Sequence, residues 1–161
     1  MRLADFILAN REPILLEWEA FARTCGPASG TMDLRALRDH ANAMLSAIAA
    51  DLATYQNAHA QSQKSKGLAP DDAFAPATAA ELHGAGRAIS GFTLEQMIAE
   101  YRALRASVVR LWAREKGAPA AGDLEDLTRF NEAIDQALAE SMDQYNAELA
   151  QSKEMFLAIL G

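Results

Sequence analysis

Between Asp123 and Leu160 the sequence contains neither proline nor glycine, and alanine, leucine, glutamate and glutamine dominate it. A run of such strong helix formers, with nothing to stop it, predicts one long helix from about Ala121 to Gly161. Asp123 fits its N-cap, and Glu125 and Asp126 place negative charge against the helix N-terminus. Leu138, Met142, Tyr145, Leu149, Ser152, Phe156 and Ile159 recur at alternating spacings of four and three, the seam of a coiled coil. Upstream, Leu127, Phe130, Ile134 and Leu138 share one face, and the successive fours through Ile134, Leu138 and Met142 form a stutter that relaxes the supercoil. The expectation is a helix that begins inside a bundle and leaves it as a two-stranded stalk, pairing the chain with a second copy. Polar Ser152 weakens the grip within that seam, a place where two packings can compete.

The rest of the chain is long enough to build the bundle. Its 161 residues are half hydrophobic, and heavy alanine use favours close-packed helices. No strand-like alternation and no internal repeat is present. A formal charge of -7 argues against nucleic acid or an anionic membrane as the main partner. Cys25 is the single cysteine, so no internal disulfide forms, which fits a reducing compartment. The segment after Met1 is amphipathic and carries Asp5, Asn10 and Arg11, unlike a signal peptide. No run approaches the roughly 20 apolar residues of a membrane span. A cytoplasmic domain is expected.

Leu3 to about Thr24 reads as helix, with Phe6, Ile7, Ile14, Leu15, Trp18, Phe21 and Ala22 as its apolar stripe. Pro13 should break or kink it and sit in the first turn of the second piece. Cys25–Gly30 is a loop by its Gly and Pro content. From Asp33 to about Tyr55 a second helix buries Leu34, Leu37, Ala41, Met44, Leu45, Ile48, Leu52 and Tyr55, with Arg35, Arg38, Asp39 and Asp51 on a solvated face. Gln56–Pro76 is polar linker. Thr78 and Glu81 form a capping box for a third helix that stops at Gly91. Thr93 and Gln96 form another at once, with Phe92 and Met97 as its hydrophobic staple, fixing a sharp corner. The fourth helix runs through Leu94, Met97, Ile98, Tyr101, Leu104, Arg105, Val108, Leu111 and Trp112 and ends at Gly117.

Residues with chemistry to offer are few. His83 and Arg87, four apart, share a helix face. Tyr101, Arg102 or Arg105 could join them in a pocket for an anion or small polar ligand; alternatively His83 packs against a neighbour and Arg87 pairs with Glu100. Gly84 and Gly86 cost roughly 1 kcal/mol each against alanine within a helix. No strand precedes them, so a phosphate loop is excluded, and close approach of another helix backbone is expected instead. The three histidines, His40, His59 and His83, are far apart, with no His-x-x-x-His or Glu-x-x-His pair, so no metal site is expected. No Ser-His-Asp or Cys-His arrangement surrounds Ser90, Ser107 or Cys25, which reads as a small apolar residue ending the first helix. Redox sensing at Cys25 lacks the electropositive setting it needs. No enzyme activity is expected of this chain.

Two resemblances extend this reading. Phe156-Leu157-Ala158-Ile159-Leu160-Gly161 resembles the lead-in to the phosphoacceptor box of sensor histidine kinases, where a His-Asp/Glu-Leu-Arg segment follows. His83-Gly84-Ala85-Gly86-Arg87, Gly91-Phe92-Thr93-Leu94, Glu100-Tyr101-Arg102-Ala103-Leu104-Arg105 and Leu111-Trp112 resemble the RsbRD-type N-terminal domain. That domain is the sensor module of stressosome co-antagonists, found also in front of histidine kinase cores; Phe130, Asp135 and Tyr145 fit its last helix. The resemblance implies a globin-like fold without bound haem, a dimer, and a signalling role. With no cofactor expected, haem would need His40, His59 or His83 as axial ligand. The combined expectation is an all-α, five-helix globin-like fold, with residues 1–120 as the sensor bundle and residues 121–161 as the long fifth helix leading to a kinase core in the same polypeptide. A ligand- or haem-binding globin-type module and a stressosome-like docking scaffold are the competing readings.

Overall fold

The computed structural model describes residues 1–24, 34–53 and 78–161. Among them the chain is all-helical: α1 (Leu3–Ala9), α2 (Arg11–Ala22), α3 (Leu34–Ala53), α4 (Ala79–Ile89), α5 (Leu94–Lys116) and α6 (Asp123–Leu160). The all-α class and the long C-terminal helix are as the sequence reading expects. The count differs, because Leu3–Thr24 is two helices and not one. The break falls at Asn10, whose φ of -125° and ψ of 30° leave the helical region. Its cause is Pro13: in a continuous helix the proline ring would collide with the Ala9 carbonyl, to which it could not donate. With the break at Asn10, Pro13 lies in the first turn of α2, where no intrahelical donor is required.

One core runs through the described helices. Phe6 and Ile7 of α1, Ile14 and Trp18 of α2, Met44 and Leu45 of α3, Leu104 and Val108 of α5, and Phe130 and Ile134 of α6 are all buried within it. Leu3, absent from the expected stripe, is fully buried as well. Its position is fixed by the start of α6: Asp126 accepts the Leu3 backbone N–H at 3.1 Å and two bonds from the Arg2 guanidinium at 2.8 and 2.6 Å. Asp126 therefore supplies the cap that Arg2, the N-cap residue, lacks. About one turn further along α6, the Arg129 guanidinium donates to the Asp51 and Leu52 carbonyls at 2.7 and 2.8 Å, satisfying the C-terminus of α3.

Three local expectations need correction. Asp123 is the first residue inside α6, following Gly122 at φ 89°, and its carboxylate accepts the Ala120 N–H at 2.7 Å. Thr78 caps α4 by accepting the Glu81 N–H at 3.1 Å, but the Glu81 carboxylate lies 3.3 Å from the Thr78 hydroxyl, not on its backbone amide. Arg38, expected on a solvated face, bridges α3 to α2 through Glu12 and Glu19. Cys25, the 25–30 loop, Tyr55, the 56–76 linker and His59 lie outside the described residues.

Candidate functional site

The α4–α5 corner forms as the local sequence dictates. Gly91 takes φ 81°, and the Phe92 and Gly91 amides donate back to the Arg87 and Ala88 carbonyls at 3.1 and 3.3 Å, a Schellman stop. Thr93 and Gln96 complete a reciprocal capping box at 3.1 and 2.8 Å, and the expected staple residues Phe92 and Met97 are both buried. The corner brings the inner faces of two short-range neighbours together, and this is where the buried charge sits.

Arg87 and Glu100 form a two-pronged ion pair across the corner, with Arg87 Nε donating to Glu100 Oε1 at 2.5 Å and Nη2 donating to Oε2. Both residues are essentially out of solvent, at 1% and 0% exposure. The guanidinium also lies 4.5 Å from the Phe92 ring centroid and 5.8 Å from that of Trp18. Burial alone would push the Glu100 carboxyl up, but its contacts with His83 and Arg87 outweigh that and hold it below the usual range. Such a pair is costly to desolvate and far costlier to leave half-made.

His83 packs beside this pair, its Nε2 3.5 Å from Glu100 Oε1, long for a hydrogen bond. Its ring is enclosed by Trp18, His40 and Tyr101, with centroids 5.9, 6.3 and 5.8 Å away. Both ring nitrogens are buried with no hydrogen-bond partner among the described residues. Burial lowers its pKa by more than Glu100 restores, so the imidazole is neutral. The nearness of His40 and His83 corrects the expectation that the histidines are far apart: the packing of α3 on α4 joins residues distant in sequence. Among the described residues no group of three or more His, Cys, Asp or Glu could hold a metal ion.

Two tyrosines tie this corner to α6. Tyr101 Oη lies 2.6 Å from Ser141 Oγ, and Ser141 donates to the Ala80 carbonyl at 2.5 Å, so one chain of hydroxyls links α5, α6 and α4. Burial raises the Tyr101 phenol far beyond its ordinary value. Tyr145 donates to the Phe92 carbonyl at 2.6 Å. Helices α4 and α6 touch backbone to backbone at Gly84, where a Cβ would stand 2.1 Å from the Ser141 carbonyl oxygen. The expected close approach is thus real at Gly84. At Gly86 the nearest neighbour is only the His40 side chain, 3.6 Å from where a Cβ would be.

Of the five residues proposed for a pocket, His83, Arg87 and Tyr101 come together, packed against other side chains. Arg102 points to solvent, and Arg105 pairs with Asp135 at 3.1 Å on the surface. Helical phase explains both, since neither shares the α5 face of Met97, Glu100 and Leu104. Along α6, Leu138 and Met142 are half-buried and Tyr145 is buried in the bundle, not held in an open seam. Leu149, Ser152, Phe156 and Ile159 are exposed, as is every residue from Leu149 to Gly161. The residues α6 turns inward are Asp126, Phe130, Ala133, Ile134, Ala137, Ser141 and Tyr145. The alternative reading, Arg87 paired with Glu100, is the one the structure bears out, and sequence reasoning missed Ser141. The signal was available: Met97, Glu100 and Leu104 share the spacing of the α5 core face, and Ser141 lies between Ala137 and Tyr145 on the inner face of α6.

The family model described as "RsbT co-antagonist protein rsbRD N-terminal domain" matches residues 17–155. No curated protein and no solved structure matches the chain. The family match takes in the corner, the buried ion pair and the root of α6 together, and on its extent the chain belongs to the RsbT co-antagonist rsbRD N-terminal domains, a stressosome-related signalling family.

Proposed function

We propose that this chain is the cytoplasmic input domain of a sensor histidine kinase, relaying a change in its bundle through a homodimer formed by α6. The observation that carries the proposal is the course of α6 itself. Its inner face is consumed by the bundle as far as Tyr145, and from Asn146 to Leu160 it runs on for roughly 22 Å as bare helix. That extension carries Met155, Phe156, Leu157, Ile159 and Leu160 at 56–80% exposure. So many large apolar side chains in the last turns of one helix mark an interaction surface. Leu149, Ser152, Phe156 and Ile159 keep the three-four spacing that a second, parallel copy would cover. The resemblance of Phe156–Gly161 to the lead-in of a phosphoacceptor box supports the kinase assignment. No helix among the described residues is long and apolar enough to cross a membrane, which is compatible with this reading.

Leu149 is 47% exposed, so Leu149→Lys tests the seam without disturbing the bundle. Light scattering should give twice the 17.4 kDa chain mass for the parent and the single-chain mass for the variant. A parent that already scatters as a single chain would remove the dimer. A His-Asp/Glu-Leu-Arg segment directly after Gly161 in the encoding gene is the outcome expected for the kinase assignment, and any other output module would replace it. Haem has no part in this reading: both His83 ring nitrogens, either of which would have to reach the iron, are buried inside the bundle. Adding haem to the protein should produce no Soret band of a ligated iron.

A further inference from the structure

The α4–α5 corner encloses a titratable group that its surroundings leave unanswered. The His83 side chain is 1% exposed, and neither ring nitrogen has a hydrogen-bond partner among the described residues. Buried polar groups ordinarily have one. The neutral ring is tolerated because it packs among Trp18 of α2, His40 of α3 and Tyr101 of α5. An imidazolium in the same place would donate from both nitrogens and would need an anion within reach.

The charged groups around it are already committed. On α5, Glu100 Oε1 lies 3.5 Å from His83 Nε2, yet both Glu100 oxygens accept from the Arg87 guanidinium. Arg87, one turn further along α4, opposes a second cation, and so does His40 of α3. On α2, Glu19 is buried beside Trp18 but pairs with Arg38 at 3.2 Å. Tyr101 is a phenol bonded to Ser141, and α6 brings the Ser141 and Tyr145 hydroxyls, bonded to the Ala80 and Phe92 carbonyls. Glu140 of α6 and Glu81 of α4 both engage Thr78 at the start of α4. A proton on His83 in the closed bundle therefore sets two buried cations against one carboxylate. The proton is accommodated once the ring reaches water.

What moves to admit water follows from how α4 is held. It meets α6 at three places: the Ser141 bond to Ala80, the backbone contact at Gly84, and the Tyr145 bond to Phe92. His83 adjoins the middle one. At 11 residues α4 is too short to be a stable helix without such contacts. We infer that His83 is a proton-operated latch: its protonation selects a local opening in which α4 and the α4–α5 corner lift from α6 while the core of α6 stays folded. This deepens the relay reading by naming its regulation, and rests on that reading only for its consequence, that acid frees the root of the proposed output helix.

Amide hydrogen exchange on the isotope-labelled 161-residue chain tests the latch, read at pH 7.5 and 5.5 in low concentrations of urea and corrected for intrinsic exchange rates. An exposed ring titrates near 6.5 and the closed ring stays neutral, so the opening equilibrium of Ala79–Ile89 should rise about tenfold over that interval. Its urea dependence should be shallower than that of Phe130–Ala137, the mark of an opening smaller than global unfolding. His83→Gln should abolish the rise, with His83→Phe as the apolar ring of similar size if Gln is not accommodated, and His40→Gln should keep it. The latch is overturned if α4 amides exchange with the free energy and urea slope of the α6 core, or if their opening in the parent ignores pH. It is equally overturned if the rise survives without His83 or disappears in His40→Gln. These readouts do not depend on the mass of the assembly, so a failed latch and a failed dimer are told apart.

Discussion

Arg87 and Glu100 hold the most tightly constrained pair in the molecule. Both are out of water, so neither charge can be rescued by solvent if its partner is lost. Glu100→Ala should lower the unfolding free energy by about 3–5 kcal/mol in urea titration. Replacing both members with apolar residues of matching volume should cost much less than the two single changes added together, because the buried charge then disappears with its counterpart. Additive losses would show that the pair has no special coupling. His83, beside them, gives the pH dependence. Its folded pKa is lowered, so folding favours the neutral ring. That contribution is complete above the unfolded value of about 6.5 and is lost as the pH falls below it. Glu100 and Asp126, both depressed, contribute in the same sense at lower pH, present above their unfolded values and lost as acid titrates them in the fold. Stability measured from pH 7.5 to 5.5 should therefore decline, and His83→Gln should flatten that decline while leaving the loss at still lower pH. A variant with the parent's slope would move the titration elsewhere.

Between helices, the decisive contact is the one without a side chain. With 2.1 Å available where a Cβ would sit, Gly84→Ala forces α4 away from the Ser141 backbone. Overpacking of this kind costs typically 1–3 kcal/mol, and backbone has less freedom to yield than a side chain. The expected result is a loss of about 2–3 kcal/mol by urea titration, together with faster amide exchange in α4. Gly86→Ala, with only a side-chain neighbour at 3.6 Å, should be neutral or stabilising by helix propensity. This element scale is also where the sequence was most and least legible. The α4–α5 corner was readable in advance, because Gly91, Thr93 and Gln96 act through bonds to residues within a few positions of themselves. The split at Asn10 was only half-readable: Pro13 announces a break, while the geometry of the preceding turn decides where it falls. The inner face of α6 was misread at Tyr145 because the coiled-coil seam and the bundle-facing stripe overlap there. Periodicity alone cannot assign a shared residue to one of two partners. The Arg2–Asp126 anchor and the His40–His83 contact had no local signal, since each joins side chains whose meeting depends on how distant helices pack.

Taken whole, the molecule divides its longest helix between two tasks. The first half of α6 is core: it caps α1 through Asp126, closes α3 through Arg129, accepts Gly84 at Ser141, and anchors the α4–α5 corner through Tyr145. Beyond Tyr145 the helix has no buried residue, and from Leu149 onward every residue is exposed. Four other helices thus contact α6, and in the proposed relay its bare end carries their displacement outward. The account stands on the proposal that this bare half meets its counterpart from a second copy along one stripe. Cysteine cross-linking tests it most directly, in a Cys25→Ser background. Disulfide formation needs Cα atoms roughly 4.4–6.8 Å apart, which a paired seam provides and its outer face does not. The account predicts ready covalent dimers from Ser152→Cys and none from Glu154→Cys under the same mild oxidation; equal cross-linking at both positions, or none at Ser152→Cys, would contradict it.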